Sequence, residues 1–190
     1  MGLARLRIPV LVIAALLAVQ AVVLWWFGQP LLCECGAVKL WEGDVWSVGN
    51  SRQFFDWYTF SHVIHGFIFY WMTVLLFPRM RASQRILIAL GLEIAWEIAE
   101  NTPYVIDLYR QQALAAGYSG DSILNSLFDS FSMLFGFVLA WRLPVRFIVV
   151  LALIMEAFVG YMIHDNLVLN ILNFIYQFDF INEWQSSAQR

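Results

Sequence analysis

IPVLVIAALLAVQAVVLWWF, residues 8–27, holds no charge and a single glutamine. About 20 such residues span the hydrocarbon of a bilayer as a helix, so this stretch predicts a membrane helix. The composition points the same way. Of 190 residues, 61% are hydrophobic and 13% are charged, against about 45–50% and about 25% in soluble domains. Arg5 and Arg7 precede the run, and Val19-Gln20-Ala21 would pass as a signal-peptide cleavage site. The apolar run continues beyond that point as VVLWWF, longer than the usual h-region of about 7–15 residues. The expectation is an uncleaved anchor.

Four further apolar runs extend the pattern, at about 58–77, 86–102, 122–141 and 147–165. The expected fold is all-α: a single integral membrane domain over 1–190, a polytopic bundle of about five transmembrane helices. The remainder, 166–184, is apolar but broken by Asn170, Asn173, Asp179 and Asn182. It is expected to lie as an interfacial helix, a short sixth span being the alternative. Arginines set the orientation. Arg5, Arg7, Arg79, Arg81, Arg85, Arg142 and Arg146 fall on one side if five helices alternate, and that side is cytoplasmic by the positive-inside rule. The chain is then a multi-pass protein of a bacterial inner membrane with a cytoplasmic N-terminus. Loops 29–57 and 103–121 face the periplasm, with Trp41, Trp46 and Trp57 as interface anchors. The net charge of −3 argues against a nucleic-acid partner, which needs a clustered basic face. Membrane lipids are the expected neighbours, with other membrane proteins or a homo-oligomer as further partners.

Inside these runs the polar residues are not scattered. Ser61, His62 and His65 open the second span. Glu93, Glu97 and Glu100 form one helical stripe on the third, at i, i+4 and i+7. Asp121, Asn125 and Asp129 repeat every four residues on the fourth, and Glu156, His164 and Asp165 lie on the fifth. On the alternating topology most of these groups share the outer half. Each ionisable group in hydrocarbon costs on the order of 2.5 kcal/mol or more, so the helices are expected to converge on one polar cavity open to the outer face. Blander explanations stand beside this for some of them. Glu100 and Asp121 suit the water boundary, Asp121 suits a helix N-cap, and His62 suits an interface position. Glu93, Glu97 and Asp129, flanked by apolar residues, need partners inside the bundle.

No lysine or arginine lies within spans two to five except at their cytoplasmic ends, apart from a reach by Arg110 out of the second loop. Three ways of neutralising the cluster remain: protonated carboxyls, a protonated histidine, or a divalent metal ion as cofactor. The candidate metal ligands are His62, His65, Glu93, Glu97, Asp121 and Asp129, a nitrogen and oxygen set that suits zinc, manganese or iron. No HExxH or comparable dense motif supports it. Cys33 and Cys35, in CECG, are too few for a zinc site of their own and read as an oxidised clip or as two small buried residues at a turn, with a redox or metal role as the alternative.

The blocks CECGAVKLWEG, DWYTFSHVIHGFIFY, EIAWEIAENTP, GDSILNSLFDS and HDNLVLN together resemble the UPF0314 family, also called DUF2585, over about residues 33–172. The resemblance implies a multi-pass inner-membrane protein, mainly of alphaproteobacteria, and implies no reaction. The family's last block opens with Arg-Asp-Asn where this chain has His164-Asp165-Asn166, which makes His164 a weak candidate for an essential ligand.

Three functions from different classes fit the pattern. The first is a membrane-embedded enzyme acting on a lipid or lipid-linked substrate, with His65, Glu97 and Asp129 catalytic and Ser61, Asn101 and Asn125 contacting substrate. The second is a non-catalytic assembly or binding subunit, suggested by Gly66, Gly91, Gly136 and Gly160, one in each of four spans. The third is a proton or cation carrier, since intramembrane carboxylates are relay material.

Overall fold

A computed structural model describes residues 3–187, with side chains from residue 10 onward. Arg5, Arg7 and Arg190 therefore lie outside the described side chains. The regular elements among them are helices: α1 (Leu3–Trp26), α2 (Thr59–Leu76), α3 (Ala82–Glu100), α4 (Pro103–Tyr109), α5 (Ile123–Arg142), α6 (Val145–Ile163), α7 (Leu167–Ile175) and α8 (Asp179–Ser186). Among them α2, α5 and α6 are long and apolar enough to cross a membrane, and α1 adds a shorter apolar stretch from Val10 to Trp26. α3 is as long, but Arg85, Glu93, Glu97 and Glu100 lower its hydropathy. The outer faces of α1, α5 and α6 leave large apolar side chains such as Leu11, Phe135, Val150 and Leu153 exposed. Apolar patches of this extent suit lipid rather than water.

The bundle closes around α2 and α5. Gly66 on α2 and Gly136 on α5 face each other's backbones. A Cβ at Gly66 would overlap the Met133 carbonyl oxygen, and one at Gly136 would overlap that of Val63. Small residues at such crossings let membrane helices approach this closely. These two glycines are thus spent on contacts within the chain, and Gly160 lies against the Asn166 side chain, whereas Gly91 faces open space. Ala89, Leu90 and Ile94 of α3 pack on Met133 and Phe137 of α5, with Leu16 and Leu17 of α1 behind them. Ile64 and Phe67 of α2 pack on Ala140, Ile148 and Met155. The one glutamine of α1 explains itself here. Fully buried, Gln20 donates to Ser126 Oγ at 2.7 Å and accepts from Ser130 Oγ at 2.9 Å, tying α1 to α5 by polar contacts that apolar packing alone would not position.

The connecting segments depart from the sequence reading in three places. Residues 103–121 are not all loop: Thr102 caps a short helix with Pro103 at its first position, where proline's missing N–H costs nothing. Residues 166–184 form two short helices rather than one. α7 has 9 residues and α8 has 8, well short of the roughly 20 that span, and extended backbone at Tyr176 and Phe178 separates them. Trp57 is a core residue instead of an interface anchor. It packs with Val45, Leu114, Val159 and Ile163, and its Nε1 donates to the Gly43 carbonyl at 2.8 Å. Cys33 and Cys35 are joined by a disulfide, and Cys35 is exposed, which removes the buried-pair reading.

Candidate functional site

The N-terminal ends of α2 and α5 and the C-terminal end of α3 meet beneath the loops. A cavity of about 660 Å³ opens there. Its floor carries His62, Asn125 and Asp129, its sides Asp56, Glu100 and Asp121, and its mouth Trp46, Arg52 and the segment 113–120.

His62 is the centre of the arrangement. It is buried, and its Nδ1 lies 2.6 Å from Glu93 Oε1 and 3.2 Å from Glu97 Oε1. A ring nitrogen carries one hydrogen, and the shorter contact takes it. Glu97 Oε1 is therefore close to His62 yet receives no hydrogen bond. The opposite nitrogen, Nε2, lies 3.9 Å from Asp129 Oδ2, too long for a direct hydrogen bond. Asp129 Oδ1 has only a long contact from Thr59 Oγ1, at 3.5 Å. His65 sits behind, its Nδ1 3.1 Å from Glu93 Oε2 and its ring stacked on Phe69. His62 lines the cavity, and His65, nearly one turn further along α2, does not.

The helical stripe on α3 explains the rest. Glu93 and Glu97 are fully buried, and Glu97 Oε2 accepts from Ser126 Oγ of α5 at 2.6 Å. Glu100, a turn nearer the helix end, reaches the cavity wall and accepts from the Tyr109 hydroxyl at 2.7 Å. Two groupings bring one donor atom from each member within 4.8 Å of the others: His62, His65 and Glu93, and His62, Glu97 and Glu100.

The other expected site residues fall variously. Asn125 lines the cavity, buried, with its Nδ2 unpartnered. Ser61 is buried on α2 and does not line it. Asn101 ends α3 and works as a brace: its Nδ2 donates to Asp121 Oδ2 at 2.6 Å, and its Oδ1 accepts from the Asp121 backbone at 2.8 Å. Asp121 lies in neither donor grouping. Nor is it the N-cap of α5; Ser122 is, its hydroxyl accepting from the Asn125 N–H at 3.1 Å. Asp121 instead takes a second bond from the Tyr118 hydroxyl. Burial pushes its pKa up to about 6, against the opposing pull of these two donors. Gly120 makes the turn possible. Its φ is +92°, and a Cβ there would strike Gln29 and Asn101. Arg110 does not reach the cluster: its Nε donates to the Tyr118 carbonyl at 2.7 Å, and Asp107 is its acidic neighbour at 3.5 Å.

Sequence reasoning missed Asp56, Tyr58, Tyr109 and Tyr118. Asp56 is buried at the start of α2, where its carboxylate accepts from the Ser51 and Tyr58 backbones, both at 2.8 Å. A carboxylate two residues ahead of a helix is the signal that could have found it. Burial and the adjoining carboxylates hold the three tyrosine hydroxyls well above their ordinary range, so each remains a hydrogen-bond donor. His164 and Glu156 stand apart. His164 stacks on Trp184, ring centroids 4.6 Å apart, and Glu156 accepts from the first backbone N–H groups of α7.

Comparison with known proteins adds a lineage. A family described as "Protein of unknown function (DUF2585)" matches residues 24–187. A UPF0314 protein of Rhizobium meliloti (strain 1021) is 48% identical over 184 residues, covering 97% of this chain and 93% of the relative. One from Agrobacterium fabrum is 48% identical over 176 residues, covering 93% and 89%. One from Sphingopyxis alaskensis is 46% identical over 178 residues, covering 94% and 95%. No solved structure matches the chain.

Proposed function

The chain belongs to the DUF2585, or UPF0314, family, whose description assigns no reaction, and from the geometry of its cavity we propose that it is an enzyme of the bacterial inner membrane. It takes the headgroup of a lipid or lipid-linked substrate from the periplasmic side. The observation that carries this is the pairing at the cavity floor. His62 is fixed through Nδ1 by Glu93 and presents Nε2 beside Asp129, at a gap of 3.9 Å. A hydroxyl or water seated in such a gap can give a proton to one group and regain it from the other, the geometry that general acid–base catalysis requires. Glu93 holds the ring in one tautomer, the role of the third member of a triad.

The depth favours a lipid-borne substrate. The floor lies at the first two turns of α2 and α5, helices apolar enough for a bilayer, and Trp46, Tyr58, Tyr109 and Tyr118 are among the lining residues. Aromatic residues of this kind belong to the membrane–water interface. The carrier reading draws less support. Between Phe67 and Leu76 of α2, between Ile86 and Leu92 of α3, and between Ser130 and Trp141 of α5 there is no carboxylate, histidine, lysine or arginine to continue a relay.

The test is a lipid inventory. A strain lacking the gene is compared with strains carrying wild type, His62→Ala or Asp129→Asn, with membrane levels of each variant measured. A lipid or lipid-linked species should accumulate in the deletion strain, return to normal with wild type, and stay accumulated with both variants. An inventory identical in all strains would discard the enzyme reading.

A further inference from the structure

Glu93 and Glu97, one turn apart on α3, meet the same histidine differently. Glu93 is satisfied at both oxygens, one by His62 and one by His65, at 2.6 and 3.1 Å. Glu97 is satisfied at one. Its Oε2 holds Ser126, while its Oε1, buried and 3.2 Å from His62, has no donor. Glu100 has one oxygen on Tyr109 and also faces the cavity. Asn125, 1% exposed and lining the same cavity, leaves its Nδ2 donor unpartnered, so it calls for an acceptor such as a water or substrate oxygen seated in the cavity. Buried polar atoms without partners are rare, and each one calls for a missing neighbour.

The charge argues alike. Glu93, Glu97, Glu100 and Asp129 surround His62, and among the described residues no lysine or arginine contacts any of them. Buried carboxylates persist when paired or when coordinated to a cation. We infer that His62, Glu97 and Glu100 bind one divalent metal ion. One imidazole and two carboxylates make a nitrogen and oxygen donor set of the kind zinc, manganese and iron(II) accept. Three protein ligands leave a coordination position open toward the cavity, as catalytic rather than structural sites do. Glu93 then holds His62 through the opposite ring nitrogen, the outer support that metal-bound histidines receive.

The alternative grouping of His62, His65 and Glu93 is the weaker site. Its donor atoms already bond one another, and of its members only His62 lines the cavity, against His62 and Glu100 in the favoured grouping. The inference rests on the proposed function only for the ion's use, and it replaces one role there: with Nε2 on the ion His62 exchanges no proton, the ion would polarise a substrate oxygen or water, and Asp129 alone carries the proton.

The experiment uses the full chain purified in a mild detergent, stripped with a chelator and reloaded separately with zinc and with manganese. Metal content is measured by elemental analysis and affinity by competition with a chelating dye, for wild type, Glu97→Gln, Glu100→Gln and His65→Ala. Size-exclusion profiles verify folding, and the two isosteric variants serve as substitutes for each other if one misfolds. Wild type should hold about one ion per chain. Glu97→Gln and Glu100→Gln should each bind more than about a hundredfold more weakly, beyond the roughly 10–100-fold that loss of an outer support costs, and His65→Ala within about threefold of wild type, since His65 reaches the site only through Glu93. An ion-free reloaded wild type overturns the inference. So does loss of the ion in His65→Ala with retention in Glu97→Gln, which moves it to the other grouping. Metal binding with an unchanged lipid inventory discards the enzyme and keeps the site; an altered inventory in a metal-free protein does the reverse.

Discussion

Asp165 and Glu97 are both buried carboxylates, and the fold treats them in opposite ways. Asp165 receives four hydrogen bonds. Tyr58 and Asn170 donate to Oδ2, each at 3.0 Å, and the Asn166 backbone and Gln185 donate to Oδ1 at 2.9 and 3.2 Å. Those donors come from the start of α2, the α6–α7 corner, α7 and α8, so one side chain ties four parts of the chain together. Glu97 receives a single strong bond and leaves an oxygen bare beside a histidine. Full satisfaction is what a buried polar group needs in order to hold a structure together. A deficit kept beside a cavity is what a reaction centre needs, because the missing partner is then supplied from outside.

The sharpest way to break this contrast is to remove the saturated member. Asp165→Ala strands the buried Gln185 donor and takes one acceptor from Tyr58 and from Asn170, at roughly 1–3 kcal/mol each. We expect the variant to lose at least about 3 kcal/mol of stability by the same measure, read as a lowered midpoint of thermal unfolding in detergent and as faster proteolysis after residue 166.

Acidity tests the same side next. Burial pushes the pKa of Asp165 up to about 7 and that of Asp121 up to about 6, from 3.8 in the unfolded chain. Between those values the folded chain binds more protons than the unfolded one, so its stability falls as pH rises from about 4 to about 7 and levels off above. From pH 5 to pH 8 the expected loss is on the order of 4 kcal/mol, seen as a lower unfolding temperature at the higher pH. Asp165→Asn should flatten that slope. A protein equally stable at pH 5 and pH 8 would contradict the assignment.

How much of this contrast could be read beforehand depended on range. Apolar runs such as 8–27 and 147–165 sufficed for an all-helical bundle, because a membrane helix satisfies its own backbone and needs only length and apolarity. The stripe of Glu93, Glu97 and Glu100 was visible because helical periodicity is local. The tie of Tyr58 to Asp165, 107 residues apart, leaves no periodic mark. Nor does the choice of His62 over His65 for the cavity, since residues three apart occupy nearly the same helical face and only packing against α3 decides between them. Asp56 escaped notice within an aperiodic loop for the same reason.

On the deficient side the expected effects on stability are smaller. Glu97→Gln keeps the shape and removes a poorly satisfied carboxylate, so unfolding should shift by less than about 1 kcal/mol in either direction, while the deletion strain remains uncomplemented. A large stability loss here would place Glu97 beside Asp165 as a structural residue. Smallest in its effect on the lipid inventory, which should change only in part, Tyr109→Phe deletes one hydroxyl bonded to Glu100 at a cost of about 1 kcal/mol.

The backbone contact of Gly66 with Gly136 has a mechanical meaning. His62 lies four residues before one glycine and Asp129 seven before the other, on helices whose main chains touch. With no side chains between them to slide or rotate, α2 and α5 behave as a single beam, and the 3.9 Å gap at the cavity floor is fixed by that beam. Any change in the width of the cavity must therefore come from its other walls, residues 45–52 and 113–121.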